Sequence, residues 1–327
     1  MAKDMTSGKP LKLIWNFTIP LLIGNLFQQL YNMADTFIVG RTIGVQALAA
    51  VGSTGSIVFL IIGFATGLTA GLAIPLAQRF GAKDYKGVKH SFYVSILISI
   101  AVAIVLTALS MIFCRQILEI MQTPSEIIDG AYDYLIVIFG GIFSSMAYNL
   151  LSNIFRSIGD AKTPLYFLVM ACVMNIILDI VFIAVFGMGV EGAGYATVLS
   201  QIFSAVACIV YIWKKIPVLR LTKEDLVATK RNIREHCRIS FPMAFQASII
   251  AIGTIMVQIA LNQLGPTSVA AHTAAQKIDQ LAILPMMSFG VTMATYSAQN
   301  FGAKKYDRIW LGVRECIKLS LTFAIVV

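Results

Sequence analysis

The chain has 327 residues, 58% of them hydrophobic and only 13% charged, with a mean hydropathy of +0.81 and a formal net charge of +9. Soluble domains carry about 25% charged residues, so this composition excludes an ordinary soluble protein and sets the expectation of an all-α polytopic membrane protein in contact with the lipid bilayer. The positive balance alone would admit a nucleic-acid partner, but the basic residues are placed along the chain in a way that reports membrane orientation instead.

A span needs roughly 20 mostly apolar residues to cross a hydrocarbon core of about 30 Å. The sequence predicts eight complete ones, at 13–39, 48–77, 92–113, 134–155, 165–186, 193–213, 239–264 and 269–298. A ninth begins near Leu311 and runs to Val327, only ~24 Å of helix at the usual rise. The chain is therefore expected to end inside a span. The first stretch is too long and too polar for a cleavable signal peptide. On that span Asn25, Gln28, Asn32 and Asp35 recur at steps of three and four, with Tyr31 beside them, which sets a polar stripe on one face of an apolar helix. A charge at bilayer depth costs about 2.5–3.5 kcal/mol even on the lenient insertion scale, so Asp35 is expected to face a cavity inside the lobe.

Span two carries Gly63, Gly67 and Gly71, two overlapping GxxxG steps that predict close helix packing. On span four Asn149, Asn153 and Arg156 share a face; the asparagines are expected to line a cavity and Arg156 to anchor the helix at the membrane interface. Span five offers Asn175 and Asp179 one turn apart, and span six Thr197 and Gln201 at the same spacing. Two carboxylates among amide and hydroxyl oxygens suit either a hard cation such as sodium or a proton held by burial and a like-charged neighbour; the alternative is that each aspartate bonds a neighbouring helix. Between these spans GMGVEG, 187–192, fits GxGxxG, but with no βαβ context it predicts a tight loop and not a dinucleotide site. On span eight His272, Lys277 and Asp279 either contact substrate, gate the cavity or pair helices. The prolines Pro20, Pro75, Pro242 and Pro285 interrupt spans and predict kinks. The five cysteines are scattered along the chain and predict small apolar fillers, neither a disulfide framework nor a metal site.

With a cytoplasmic N-terminus, the inside segments hold Lys3, Lys9 and Lys12, the connectors around Arg79 and Lys304, and the basic stretch 214–238, against only Arg41 and Arg115 outside. That is a positive-inside signal for a multi-pass protein of the cytoplasmic membrane. The connectors themselves repeat: QRFGAKDY at 78–85 returns as QNFGAKKY at 299–306, and their glycine and lysines suit a tight turn at a membrane face. Around them Pro20 aligns with Pro242, and GVQALAAV at 44–51 with GPTSVAAH at 265–272. Six spans separate the copies, so both start on the same side and the repeats are parallel. The expected organisation is a six-helix lobe at 1–213, a basic linker at 214–238 and a partial second lobe at 239–327. In the second copy Asp35 aligns with Val257 and Gln28 with Ile250, so the polar stripe belongs to the first lobe only.

The run IPLLIGNLFQQLYNMADTFIVGRTIGVQALAAVG, FRSIGDAKTP after span four, GMGVEGAGYATVLSQ into span six and AAHTAAQKIDQLAILPMMSFG in span eight together resemble the MATE family of multidrug and toxin extruders. The resemblance implies two six-helix lobes, here with the second incomplete, working as a monomeric secondary antiporter with no cofactor. It implies export of organic, often cationic, small molecules in exchange for Na+ or H+. It further implies a cation or proton site at Asp35, Asn175, Asp179 and Thr197 with the backbone carbonyl of Ala193, a bend of the first helix at Pro20, and a substrate cavity reached by Gln28, Tyr31, Asn32, Asn149, Asn153, Gln201, His272, Lys277 and Asp279. A lipid-linked oligosaccharide flippase of the same superfamily is the nearer alternative and is expected to show a more cationic cavity. An integral membrane enzyme is the more distant one, since no HExxH or DDxxD is present, and without a Walker A sequence direct drive by ATP is not expected.

Overall fold

The computed structural model describes residues 3–263 and 266–326. Lipid offers no partner for a main-chain N–H or C=O, so long apolar runs close their hydrogen bonds within helices, and the described residues form helices and short turns with no strand. In chain order these are α1 (Pro10–Thr42), α2 (Val45–Gly81), α3 (Tyr85–Ile112), the short α4 (Cys114–Ile120), α5 (Ile128–Gly140), α6 (Ile142–Ser157), α7 (Lys162–Asp179) continuing as a π-turn (Ile180–Val185), α8 (Val190–Lys215), α9 (Lys230–Gln263), α10 (Pro266–Gly302) and α11 (Tyr306–Val326). Among the described residues, α1, α2, α3, α7 with its π-turn, and α8 are each long and apolar enough to cross a membrane, and α5 with α6 makes a sixth crossing. The helices α9, α10 and α11 occupy the predicted seventh to ninth spans, with 34, 37 and 21 residues.

Two local departures from straight spans matter for the site. The predicted fourth span is bent by 48° between α5 and α6. No proline sits at the bend; Gly140 and Gly141 do, and a Cβ at Gly141 would run into the side chain of Val198 on α8. The glycine thus lets α8 close on the break. The fifth span loosens into a π-turn directly after Asp179, a device common at functional sites. The first half of the GMGVEG stretch, 187–189, is a loop as expected, with Gly187 at φ +67°, while its second half opens α8 at Val190.

The two copies face each other along α1 with α10 and α2 with α9. On the α2 side the GxxxG glycines are in direct contact with backbone: a Cβ at Gly67 would sit 3.0 Å from Ala244 Cα, and one at Gly71 3.2 Å from Ser240 N. On the α10 side the aligned residues are Ser288 and Thr292, and hydrogen bonds replace close packing. Asn25 Nδ2 donates to Ser288 Oγ at 3.0 Å, and the hydroxyls of Thr18 and Thr292 are 2.8 Å apart. The cysteines are free, with Cys114, Cys172, Cys208 and Cys316 buried and Cys237 half-buried.

At that basic end the repeated connectors meet. A Cβ added at Gly81 would lie 2.6 Å from Gln299 Cα, and one at Gly302 would lie 2.9 Å from Gln78 Cα, a reciprocal contact between the two FGAK copies. The glycines are therefore the last residues of their helices, packed against the partner connector. Of the glycine and lysines expected to suit a tight turn, it is the lysines Lys83 and Lys304 that take the left-handed backbone, at φ 60° and 58°. Each connector region is also tied to the chain around the start of the other copy's opening helix. Met5 N donates to Gln299 Oε1 at 2.9 Å, Lys305 Nζ to Thr6 O at 2.8 Å and Arg308 Nη2 to Gly8 O at 3.0 Å. In the first copy Arg79 pairs with Glu235 at 3.0 Å and Lys89 with Asp225 at 3.1 Å. The carboxyl of Asp225 is held down at about 2 by the Thr222 hydroxyl and backbone N–H, with Lys89 adding to it.

Candidate ion and substrate site

The carboxylates that stood apart in sequence converge at the end of the first lobe remote from the connectors. Asp35, near the end of α1, and Asp179, the last residue of α7, bring their carboxyls within hydrogen-bonding reach of one another. Asp179 and Asn175 are completely buried, and Asp35 is half-buried. From α8, the Thr197 hydroxyl lies 3.1 Å from the Tyr31 hydroxyl and accepts from Asn175 Nδ2 at 3.3 Å. Ala193 is buried one turn before Thr197, packed with Val39 and Ile183. Tyr134 on α5, which the spacing of polar residues did not single out, stands beside both carboxyls. Tyr134 lies on the helix that ends at the Gly140 and Gly141 bend, and no polar periodicity marks it.

The oxygens in this cluster are not satisfied by the protein. Asp35 Oδ1, Asn175 Oδ1 and both carboxyl oxygens of Asp179 are buried with no hydrogen-bond partner. Buried polar atoms nearly always have partners, and two carboxyls in contact repel unless a proton or cation lies between them. Four orphaned oxygens with a threonine hydroxyl alongside form a donor set for a hard cation. Among the described residues no group of three or more His, Cys, Asp or Glu gathers as a softer metal would require.

The remaining candidates separate from this cluster. Gln28 and Asn149 line a small cavity of about 40 Å³ between α1, α6 and α7, where Asn149 Nδ2 donates to Ser145 O at 2.9 Å. The Ser145 hydroxyl in turn bonds Gln201 Oε1. Asn153 is buried and donates to Thr69 Oγ1 at 3.3 Å. The α1 stripe does not present one uniform face to the lobe interior: Asn25 turns to Ser288 on α10, and Asn32 is exposed. Pro20 lies buried inside α1, lining the same small cavity. On α10, His272 is half-buried and Asp279 exposed, while the Lys277 side chain lies outside the described residues. Arg156 departs most from expectation. Its side chain is turned inward between two cavities, with Nε buried and unpaired, whereas an interfacial anchor would reach outward to headgroups.

Membrane-crossing helices in two facing copies, with an ion-sized cluster of orphaned oxygens in one and cavities between them, define a polytopic two-lobed membrane protein of transporter type. The MatE family model matches residues 20–181 and again 242–327, and the chain belongs to that family. It is 30% identical over 314 residues to the "Probable multidrug resistance protein YpnP" of Bacillus subtilis, covering 94% of this chain and 69% of the relative. To the "Probable multidrug resistance protein YoeA" of the same organism it is 28% identical over 327 residues, 97% of this chain and 71% of the relative. Among solved structures it superposes with a TM-score of 0.92 and 26% identity on an outward-facing multidrug resistance MATE family transporter of the MOP superfamily, covering 98% of this chain and 72% of that one.

Proposed function

We propose that this chain serves in the cytoplasmic membrane, N-terminus inside, as a secondary antiporter that exports organic small molecules in exchange for Na+ or H+. The observation that carries the coupling is the set of buried, unpartnered oxygens of Asp35, Asn175 and Asp179 beside Thr197. Such a set holds free energy that only a proton or hard cation can release, and either would bias the lobe in which it binds. The relatives' names as multidrug resistance proteins support the substrate class. The reciprocal Gly81 and Gly302 contacts at the basic end support a state closed toward the cytoplasm, in line with the outward-facing neighbour. Pro20 leaves α1 without one main-chain hydrogen bond and supports a bend of that helix during the cycle. The flippase alternative calls for a cavity of one positive sign; the first lobe here gathers carboxylates remote from the connectors, while Arg156 lines separate cavities.

The test is efflux of a fluorescent organic cation from vesicles holding the full-length protein, with sodium and proton gradients imposed separately. One gradient drives efflux and Asp35→Asn abolishes the response. Efflux that ignores both gradients, or persists unchanged in the variant, refutes the coupling.

A further inference from the structure

Arg156 lies at the end of α6, one residue from its terminus, and lines both a cavity of about 180 Å³ between α2, α6, α9 and α10 and the small cavity beside α1 and α7. Its bonding is incomplete. Nη1 donates to Asn153 Oδ1 at 3.3 Å, a long bond to a neutral acceptor, and Nε is buried with no partner. The ion pairs among the described residues involve Arg79, Lys89, Arg115 and Lys318, and none includes Arg156.

An arginine cannot shed its proton to escape burial. A charge taken out of water without an opposite charge is costly, so a retained one has a counter-ion in some state of the molecule. The larger cavity supplies room and complementary surface: it is walled by Ala70, Ala73, Met243 and Ala294, with Thr295 as a further hydroxyl. An apolar body therefore has a place beside the guanidinium. We propose that Arg156, with the amide of Asn153, recognises the carboxylate or phosphate of an amphipathic anion or zwitterion in the interlobe cavity. The fork of a guanidinium matches either group with two parallel hydrogen bonds. The inference rests on the transporter reading for its route of access, and it adds that the molecule's guests include acids as well as cations.

The experiment uses the full chain in phosphatidylcholine nanodiscs, with dansylglycine and its methyl ester as fluorescent probes that differ only in the carboxylate. The acid binds wild type at least about tenfold more tightly than the ester, as a hydrogen bond to a charged group implies. Arg156→Gln removes that preference and leaves the ester unchanged, and Arg156→Lys restores part of it; melting curves establish that both variants are folded. Repeating the titration with phosphatidylglycerol in the disc assigns the source. Loss of acid binding in wild type identifies a lipid headgroup as the competing anion, and unchanged binding identifies a soluble guest. Equal affinity of wild type for acid and ester, binding of neither, or an equal loss of both in Arg156→Gln overturns the proposal. The gradient-driven efflux assay stands apart from this binding assay, so a site that binds acids in a protein that exports nothing, and an exporter indifferent to the carboxylate, give different patterns.

Discussion

Replacing Gly81 by alanine adds one methyl group at the contact between the connectors, and the same holds for Gly302. The new carbon would stand 2.6 Å from Gln299 Cα in the first case and 2.9 Å from Gln78 Cα in the second, with the facing carbonyl oxygens closer still. These are backbone atoms, which cannot rotate aside as a side chain can. Relief needs the two connectors to separate by about 1 Å, to reach ordinary van der Waals distance. Overpacking of this kind costs about 1–3 kcal/mol, which at about 1.4 kcal/mol per tenfold shifts the ratio of open to closed basic end by roughly fivefold to a hundredfold. Alanine is meanwhile a better helix former than glycine, by roughly 0.5–1 kcal/mol, so α2 and α10 keep their helices. The assay is the rate at which an impermeant maleimide labels a cysteine placed at Ala77, which is buried just inside the connectors, in a background lacking the five native cysteines. Gly81→Ala and Gly302→Ala each raise the rate, whereas Gly253→Ala, where a Cβ would meet nothing within 4 Å, leaves it unchanged. Equal rates in all three, or an equal rise with Gly253→Ala, would refute the contact as a closure of the basic end.

His236 predicts a pH effect at the same end. It is fully buried ahead of the seventh span, with Nδ1 2.8 Å from Asn232 O and Nε2 unpartnered; burial pushes its pKa below the usual 6.5, the Asn232 carbonyl opposing and Arg79 reinforcing the shift. A base with a lowered folded pKa gives its full stability above 6.5 and loses it as the pH falls below that value. The melting temperature of wild type therefore drops between about pH 7.5 and about pH 5.5 more steeply than that of His236→Gln; parallel curves would count against it. Asp179→Asn removes one charge from the unpartnered pair and raises stability in sodium-free buffer by about 1–3 kcal/mol. If Na+ is the coupling ion, it also abolishes any rise of melting temperature with added Na+ in wild type. A variant less stable than wild type in the absence of Na+ would mean that the Asp179 carboxylate is already satisfied.

What the sequence makes legible is what repeats or alternates along it. The apolar runs give the helices, and the paired connectors give the two copies. The i, i+3 and i, i+4 steps bring Asn175 and Asp179 onto one face, but no spacing within α7 tells that Asp35 lies opposite. The family resemblance supplies that pairing. Azimuth is the recurrent blind spot: the same spacing that aligned Asn25, Gln28, Asn32 and Asp35 could not tell that Asn25 turns to Ser288 while Asn32 is exposed. It likewise could not turn Arg156 inward, because that depends on which helices lie beside α6 and not on α6 itself.

The two copies also show what duplication preserves. Between the lobes the aligned positions have diverged in kind, Gly67 and Gly71 touching backbone on α9 while Ser288 and Thr292 bond Asn25 and Thr18. Inside the lobes they have diverged further, with Asp35 against Val257. Only the connectors remain nearly the same, down to a lysine at positive φ in each. A contact in which each copy's glycine rests on the other's glutamine is self-complementary about a two-fold axis, and a change in either connector strains both halves at once. Residues at a helix core or an ion site face no such reciprocal constraint. The connectors can therefore stay alike for the sake of their mutual contact while the copies diverge elsewhere, one keeping the carboxylates of Asp35 and Asp179 and the other an apolar residue, Val257, at the position aligned with Asp35.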